Sequence, residues 1–565
     1  MTGVAHLTAA HVKAAHLTAT GCTISNLGKV TGLCTAKGSI SIEISYKAIM
    51  PLLLLFGGAL VVLIVTAVVP KRRYPWLWAG LTVLAGVATI VDGLVQWENL
   101  NTTSNVAVVL ANQIIYDKFS AFFAILFGSA TVLGAMISDS YLNRENLDGP
   151  EPYVLILTCS AGAVLMAQAA GLISLFLGLE ILSISLYTLT GYHHRRSASG
   201  EAALKYFILG SFSSAIFIYG AALVYGATGS TQYLQIFDFL TSNVLLHDGV
   251  LLAGMGLLIV GLGFKVATVP FHFWAPDVYQ GAPTPFVGYM AGVAKAAGFA
   301  GLLRVLMLAF PTQVANWRPI IWVLAVASVL FGSVLALVQV DLKRFLAYSS
   351  ISQAGYALIG LQDGTSKGVS AVCFYVFTYM FMVLGTFAIV GILQGRGEAR
   401  NDLGSVRGLA GRSPWLAAAM LVLLLGQAGI PLTSGFLGKW VVIEAVVSKG
   451  QYALGLIGML GAAIAAFAYL RVALLMYVSP EGGPPGVPAQ GEDLDAELQT
   501  SDLRDVVTGG LVGRDTALAL RAAPTTRIRM PPLTTTAIAI CVAFTIFAGI
   551  STPLLSMAQS ISLPW

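Results

Sequence analysis

Four ionisable residues stand where an apolar chain should carry none. Glu180 lies in LISLFLGLEILSISLYTL, Lys265 in GLLIVGLGFKVATVPFH, Lys295 in VGYMAGVAKAAGFAGLL and Lys439 in LTSGFLGKWVVIEAVV. Each is flanked by apolar residues on both sides, which puts it at mid-membrane, where a charge costs about 2.5 to 3.5 kcal/mol on insertion scales. Such residues are expected to face a protein interior or a water-filled path. The chemistry open to one carboxylate and three amines in that setting is proton transfer, because burial disfavours an ammonium and a neighbouring carboxylate favours it. A unit charge about 7 Å away at an effective dielectric of about 20 contributes roughly 2.4 kcal/mol. Moving Glu180 relative to Lys265 would then switch that lysine between holding and releasing its proton. The competing reading is a set of snorkelling or structurally paired residues. Their number counts against it, since mid-span side chains cannot easily reach the interface.

Other polar residues are weaker signals. Glu201 and Lys205 stand four apart and can pair on one helix face, as a structural pair or as a relay. His272, beside Pro270, is a candidate extension of a proton path. Ser349, Ser350, Ser352 and Gln353 form a patch of the kind that glues helices together, so packing is the expected use. Glu444, five residues after Lys439, is expected to point away from it, and Arg304 and Arg471, late in their spans, to snorkel. The five cysteines, at 22, 34, 159, 373 and 541, contain no CxxC pair and have no histidine at zinc-ligand spacing, so no metal site is expected. Cys22 and Cys34 could pair in an oxidising compartment. The first 45 residues repeat AHLTA, space His6, His11 and His16 five apart, and hold no apolar run suited to a signal peptide.

The elements that must position these residues are membrane spans. Of 565 residues, 57% are hydrophobic and 10% charged, against roughly 25% charged in soluble domains, which excludes a soluble fold. With 31 Lys plus Arg against 26 Asp plus Glu, the net charge of +5 gives no basic stripe for nucleic acid; the lipid bilayer is the expected partner. Crossing a hydrocarbon core takes about 20 apolar residues. Candidate spans are 48–69, 75–95, 118–138, 152–171, 172–192, 202–226, 249–274, 286–309, 319–340, 343–361, 369–393, 414–447, 452–478 and 533–557, about fourteen in all. Two are interrupted. The seventh has Pro270 five residues after Lys265. The twelfth, from Trp415 to Val447, is 33 residues, about 50 Å as a helix, and holds Gly426, Gly429, Pro431 and Gly435 in its middle. Broken helices mark ion sites in transporters, because unwound backbone can bind or orient charge at membrane depth. Lys and Arg concentrate in alternate loops, at Arg195, Arg196, Lys343, Arg344, Arg396 and Arg400 for example, which places both termini on the non-cytoplasmic side. The polar stretch from Ser479 to Pro532 reads as a cytoplasmic excursion.

The segments EAALKYFILGSFSSA (Glu201 to Ala215), FKVATVPFHFWAPDVYQGAPTP (Phe264 to Pro285), DLKRFLAYSSISQAGYALIG (Asp341 to Gly360) and GIPLTSGFLGKW (Gly429 to Trp440) resemble the antiporter-like membrane subunits of respiratory complex I, the subunit N branch in particular. The resemblance runs from about Ala48 to Val478 and includes the last helix. It implies an all-α membrane protein of about 14 transmembrane helices, with helices 4–8 and 9–13 as two inverted five-helix repeats and helices 7 and 12 broken. The corresponding division is a tail at 1–47, helices 1–3 at 48–151, the repeats at 152–310 and 311–478, a polar insert at 479–532 and the last helix at 533–565. It also implies a proton-handling line made by Glu180, Lys265, Lys295 and Lys439, with Lys205 matching a further family lysine. The function implied is proton translocation in an NADH:quinone oxidoreductase of the bacterial plasma membrane. This chain would have no cofactor of its own. FMN, iron–sulfur clusters and quinone would lie in partner subunits, and its neighbours would include the M-type antiporter-like subunit and the small K-type and J-type subunits. The rivals are a subunit of a multi-subunit cation/proton antiporter, whose helices share many motifs, and a non-conducting scaffold.

Overall fold

A membrane span must satisfy its own backbone, and in a computed structural model of the chain it does so with helices. The structure describes residues 45–69, 75–103, 106–243, 248–398, 400–478, 530–561 and 563. The N-terminal histidines, Cys22, Cys34 and nearly all of the 479–532 insert lie outside the described residues. Among those described, twelve helices are long and apolar enough to cross a membrane. They are α1 (Tyr46–Val68), α2 (Pro75–Thr103), α3 (Lys118–Glu145), α4 (Glu151–Gln168), α5 (Leu172–Thr190), α6 (Ser197–Thr228), α8 (Gly249–Val266), α10 (Thr284–Arg304), α11 (Val314–Leu337), α13 (Ser366–Leu393), α17 (Tyr452–Tyr477) and α18 (Pro532–Ile550). A further helix, α12 (Leu342–Gln362), carries the serine and glutamine patch and is correspondingly more polar. The rest are short: α7 (Tyr233–Ser242), α9 (Trp274–Gly281), α14 (Leu409–Arg412), α15 (Pro414–Ala428), α16 (Ser434–Val447) and α19 (Pro553–Gln559). An antiparallel hairpin of β1 (Ala107–Val109) and β2 (Ile114–Tyr116) precedes α3, with Val108 opposite Ile115.

The run expected to divide near Gly171 does so there: α4 stops at Gln168, and α5 starts after Gly171. The last span, expected to reach residue 557, ends at Ile550, and Pro553 opens the separate α19. Helices α3, α10 and α13 are almost wholly enclosed. Helix α10 packs on α13, α4, α8 and α3, which makes it the centre of the bundle. Around them, α6 and α17 present large apolar side chains such as Phe212, Phe467 and Leu474 outward, as a lipid-facing surface requires. Close approach comes from small residues. Where α6 meets α8, a Cβ on Gly220 would stand 2.9 Å from the Gly254 carbonyl, and one on Gly254 would stand 3.0 Å from that of Gly220.

Both interruptions leave a helix ending inside the bundle. Helix α8 ends at Val266, with Ala267 in the left-handed region at φ 58°, and α9 resumes only at Trp274. Helix α15 ends at Ala428, with Gly429 at φ 86°, and α16 begins at Ser434. Pro270 and Pro431 lie in the two unwound segments, where a missing backbone donor costs no helical hydrogen bond.

Candidate functional site

A helix that stops in a dry interior leaves carbonyls without intrahelical partners. Here the lysines supply donors to them. Lys295, from the middle of α10, donates through Nζ to the Val266 carbonyl at the end of α8 (3.0 Å) and to the Ser350 carbonyl of α12 (2.9 Å). Lys439, from α16, donates to the carbonyls of Gln427 (3.0 Å) and Ala428 (2.8 Å), which end α15. Its amine also lies over the Tyr356 ring, 4.8 Å from the centroid. A cation is favoured at a helix carboxyl end by the macrodipole, so each amine sits where backbone geometry gives it both acceptors and a negative potential.

Lys265 stands in the last turn of α8, one residue before the break. Its Nζ donates to Ser183 Oγ (2.8 Å) on α5 and Tyr206 Oη (3.3 Å) on α6, beside the packed rings of Tyr187 and Tyr206, 5.9 and 5.5 Å from their centroids. All three lysines are buried, at 3%, 4% and 5% exposure for Lys265, Lys295 and Lys439. Glu180 lies on α5, one turn before Ser183. It is half-buried, and its Oε1 is enclosed without a hydrogen-bond partner.

Between Lys295 and Lys439 runs a network that single residues do not announce. The Ser349 hydroxyl bonds with that of Tyr469; Gln353 Nε2 donates to Tyr469 Oη (3.1 Å) and to the Gln427 carbonyl (2.9 Å), and its Oε1 accepts from Tyr375. Gln427 Nε2 donates to Thr386 Oγ1 (2.7 Å). The patch read as helix glue does join helices, Ser352 pairing with Ser333 (2.8 Å) and Ser350 Oγ with Tyr279 Oη (3.3 Å), while Ser349 and Gln353 also connect the surroundings of the two buried amines. Gln427, a lone amide in LLLGQAG, had a legible signal; Tyr206, Tyr375 and Tyr469 did not.

The remaining candidates lie elsewhere. Lys205 is exposed and joins Glu201 (2.8 Å) and Asp277 (3.1 Å), with Arg344 on the other oxygen of Asp277 (2.8 Å). His272 is buried in the first unwound segment against Phe273 and Phe331, its Nδ1 without a partner. Glu444 pairs with Lys367 at the surface (2.8 Å), and Arg471 reaches the Leu337 carbonyl (2.7 Å).

The expectation for Arg304 is corrected. It does not snorkel but is fully buried, because α10 continues past it in a wide turn over Val305–Ala309. Both Nη atoms reach Asp117, each at 2.7 Å, and Nε reaches the Ala167 carbonyl (2.8 Å). Lys343 is likewise no solvated loop cation. It is enclosed, donating to Glu398 (2.9 Å) and the Ala282 carbonyl (2.6 Å), and Arg196 shares Glu398 (2.7 Å). In the loop after α13, burial alone would raise the Glu398 carboxyl, but Lys343 and Arg196 bring it down to about 2.

Buried amines seated on broken helices within a multi-pass bundle define an antiporter-like membrane subunit. The family described as NADH:quinone oxidoreductase/Mrp antiporter, TM, matches residues 169–465. The NADH-quinone oxidoreductase subunit N of Trichlorobacter lovleyi is 40% identical over 437 residues, covering 77% of this chain and 88% of that protein. A chain of respiratory complex I from Thermus thermophilus superposes with a TM-score of 0.69 at 29% identity, covering 90% of this chain and 100% of that one. A chain of the Mrp complex from a Dietzia species, at 20% identity and a TM-score of 0.74, covers 91% of this chain and 97% of its own and shares the fold. The chain belongs to the NADH-quinone oxidoreductase subunit N family, whose members are antiporter-like subunits of the membrane arm.

Proposed function

We propose that this chain translocates protons in the membrane arm of an NADH:quinone oxidoreductase, along Glu180, Lys265, Lys295 and Lys439. The observation that carries the reading is the seating of Lys295 and Lys439 on the carbonyls released by the two breaks. An amine held there keeps its acceptors whether charged or neutral, so it can exchange a proton without a large rearrangement. Glu180 is the switching carboxylate, Lys265 the carrier it tunes, Lys295 the central relay, and Lys439 the exchange group toward the far side. Lys205 and His272 serve at most as peripheral relays. Counting the twelve long helices, α12 and the broken α15/α16 pair as one crossing each would make fourteen, of which the fourth to eighth and the ninth to thirteenth would form two inverted five-helix repeats. The chain would lie in the bacterial plasma membrane with both termini outside the cytoplasm. It would carry no redox group, and FMN, iron–sulfur clusters and quinone would belong to partner subunits. Its membrane neighbours would include the M-type, K-type and J-type subunits.

Moving one proton against 100 mV costs about 2.3 kcal/mol, similar to a single through-space coupling in a half-buried site. Lys265→Ala in the assembled complex is expected to abolish most NADH-driven proton uptake into membrane vesicles. Normal assembly with unchanged pumping rejects the role. Sodium-dependent transport without NADH would favour the antiporter reading instead.

A further inference from the structure

The polar run between Lys295 and Lys439 contains groups that cannot pass a proton. From the Lys295 amine it leads to the Ser350 carbonyl (2.9 Å), the neighbouring Ser349 hydroxyl and the Tyr469 hydroxyl, then to Gln353 Nε2 (3.1 Å from Tyr469). The Gln427 carbonyl follows (2.9 Å from Gln353), and then the Lys439 amine (3.0 Å). Hydroxyls both donate and accept, so each can take one proton while giving up another. A carboxamide cannot: its nitrogen only donates, its oxygen only accepts, and neither titrates in the working range.

Gln353, 3% exposed, is held from both ends. Tyr375 donates to its oxygen, and its nitrogen is divided between Tyr469 and Gln427. The other amide, Gln427, is pinned to Thr386 (2.7 Å) while its Oε1 accepts from Tyr469 (3.4 Å). Among the described residues, the hydrogen bonds that reach the end of α15 from α12 and α17 pass through these two amides. The Gln427 carbonyl has two lone pairs, and Lys439 and Gln353 take one each.

We propose that Gln353 is a positioning residue whose side chain stands between Lys439 and the hydroxyls on the Lys295 side, and that transfer occurs only when this side chain vacates the space beside the Gln427 carbonyl. The proposal rests on the reading of this chain as a proton translocator. With the side chain withdrawn, the Tyr469 hydroxyl is free to face Lys439. The Lys295 ammonium then turns from the Ser350 carbonyl, which cannot relay a proton, to the Ser349 hydroxyl one residue away; the hydroxyl pair Ser349 and Tyr469 takes its proton and gives one to the neutral Lys439 amine. Lys295 ends as the amine, Lys439 as the ammonium, and both hydroxyls are restored. The gate resides in an uncharged side chain that neither gains nor loses a proton.

The test is the decay of an imposed pH gradient in vesicles holding the whole complex, without NADH. Gln353→Glu puts a titratable carboxyl of equal length in the gap, able to take a proton from the hydroxyl side and hand it to Lys439. Gln353→Met breaks the same hydrogen bonds and fills the space with a group that carries no proton. The gradient is expected to decay several-fold faster with Glu and at the wild-type rate with Met. Wild-type decay with Glu, or equally fast decay with both, overturns the proposal, the latter assigning Gln353 to packing alone. Should Gln353→Glu not assemble, Tyr375→Phe frees the amide's oxygen end and is expected to speed decay; an unchanged rate there has the same force. Lys265→Ala that no longer pumps beside a tight Gln353→Glu sinks the insulator and leaves translocation standing. Normal pumping in Lys265→Ala sinks the translocation reading itself.

Discussion

Replacing Glu398 by glutamine is expected to destabilise the loop cluster after α13 through the cation it abandons. In the wild type, Glu398 accepts from Lys343 (2.9 Å), Arg196 (2.7 Å) and the Thr284 backbone (2.8 Å). Lys343 is fully enclosed and keeps only neutral acceptors, the new amide oxygen and the Ala282 carbonyl, once the carboxylate is gone. The carboxyl lies at about 2 against an ordinary 4.5, a gap worth about 3 kcal/mol at roughly 1.4 kcal/mol per tenfold change. Removing one partner of a buried pair typically costs about 3–5 kcal/mol, because the other charge is left uncompensated. The two figures agree. Since the folded value lies below the unfolded one, this stabilisation is complete above the ordinary carboxylate range and is lost only as pH falls from there through about 2. Thermal dissociation of the purified complex at about pH 6 should therefore show a clear loss in Glu398→Gln. Adding Lys343→Met should recover most of it by removing the stranded charge. A double variant less stable than Glu398→Gln would refute the reasoning.

Three further outcomes are expected. Arg304→Met strands Asp117 in the interior and should cost about 3–5 kcal/mol, read as poor assembly on native gels, with Asp117→Asn in the same chain restoring part of it. Gly435→Ala places a Cβ against the Gly426 carbonyl and should force the α15/α16 break apart, giving lower pumping in vesicles at equal complex content. Asp277→Asn should alter stability by less than about 1 kcal/mol, since its partner Lys205 is exposed and Arg344 only half-buried. Burial pushes that carboxyl up, but the two cations hold it below its usual range, so even this small contribution should vanish as the pH drops through that range in a melting series.

The spans and the buried line were legible because a lone charge in an apolar run is expensive and therefore informative. Glu180, Lys265, Lys295 and Lys439 each stood out in this way, and Pro270 and Pro431 marked where helices had to stop. What the amines bind was not legible. Val266, Ser350, Gln427 and Ala428 contribute carbonyls, which every residue has, so no residue type signals them. Tyr206, Tyr375 and Tyr469 read as ordinary apolar bulk until the fold turns their hydroxyls onto Lys265 and Gln353. Arg304 and Lys343 misled because charge near a span end usually reaches water. Their partners, Asp117 and Glu398, lie 187 and 55 residues away along the chain, and only tertiary packing brings them together.

The two interruptions also bear on which ions the protein turns away. Helices α8 and α15 each end with their carbonyls directed into the bundle, at Val266 and at Ala428, and the aligned peptide dipoles give such an end about half a negative elementary charge. Where the amines of Lys295 and Lys439 do not offset it, that potential repels chloride and hydroxide, and its source is main chain. A variant stripped of Lys295 and Lys439 should therefore stay closed to anions even after it has lost its traffic in protons.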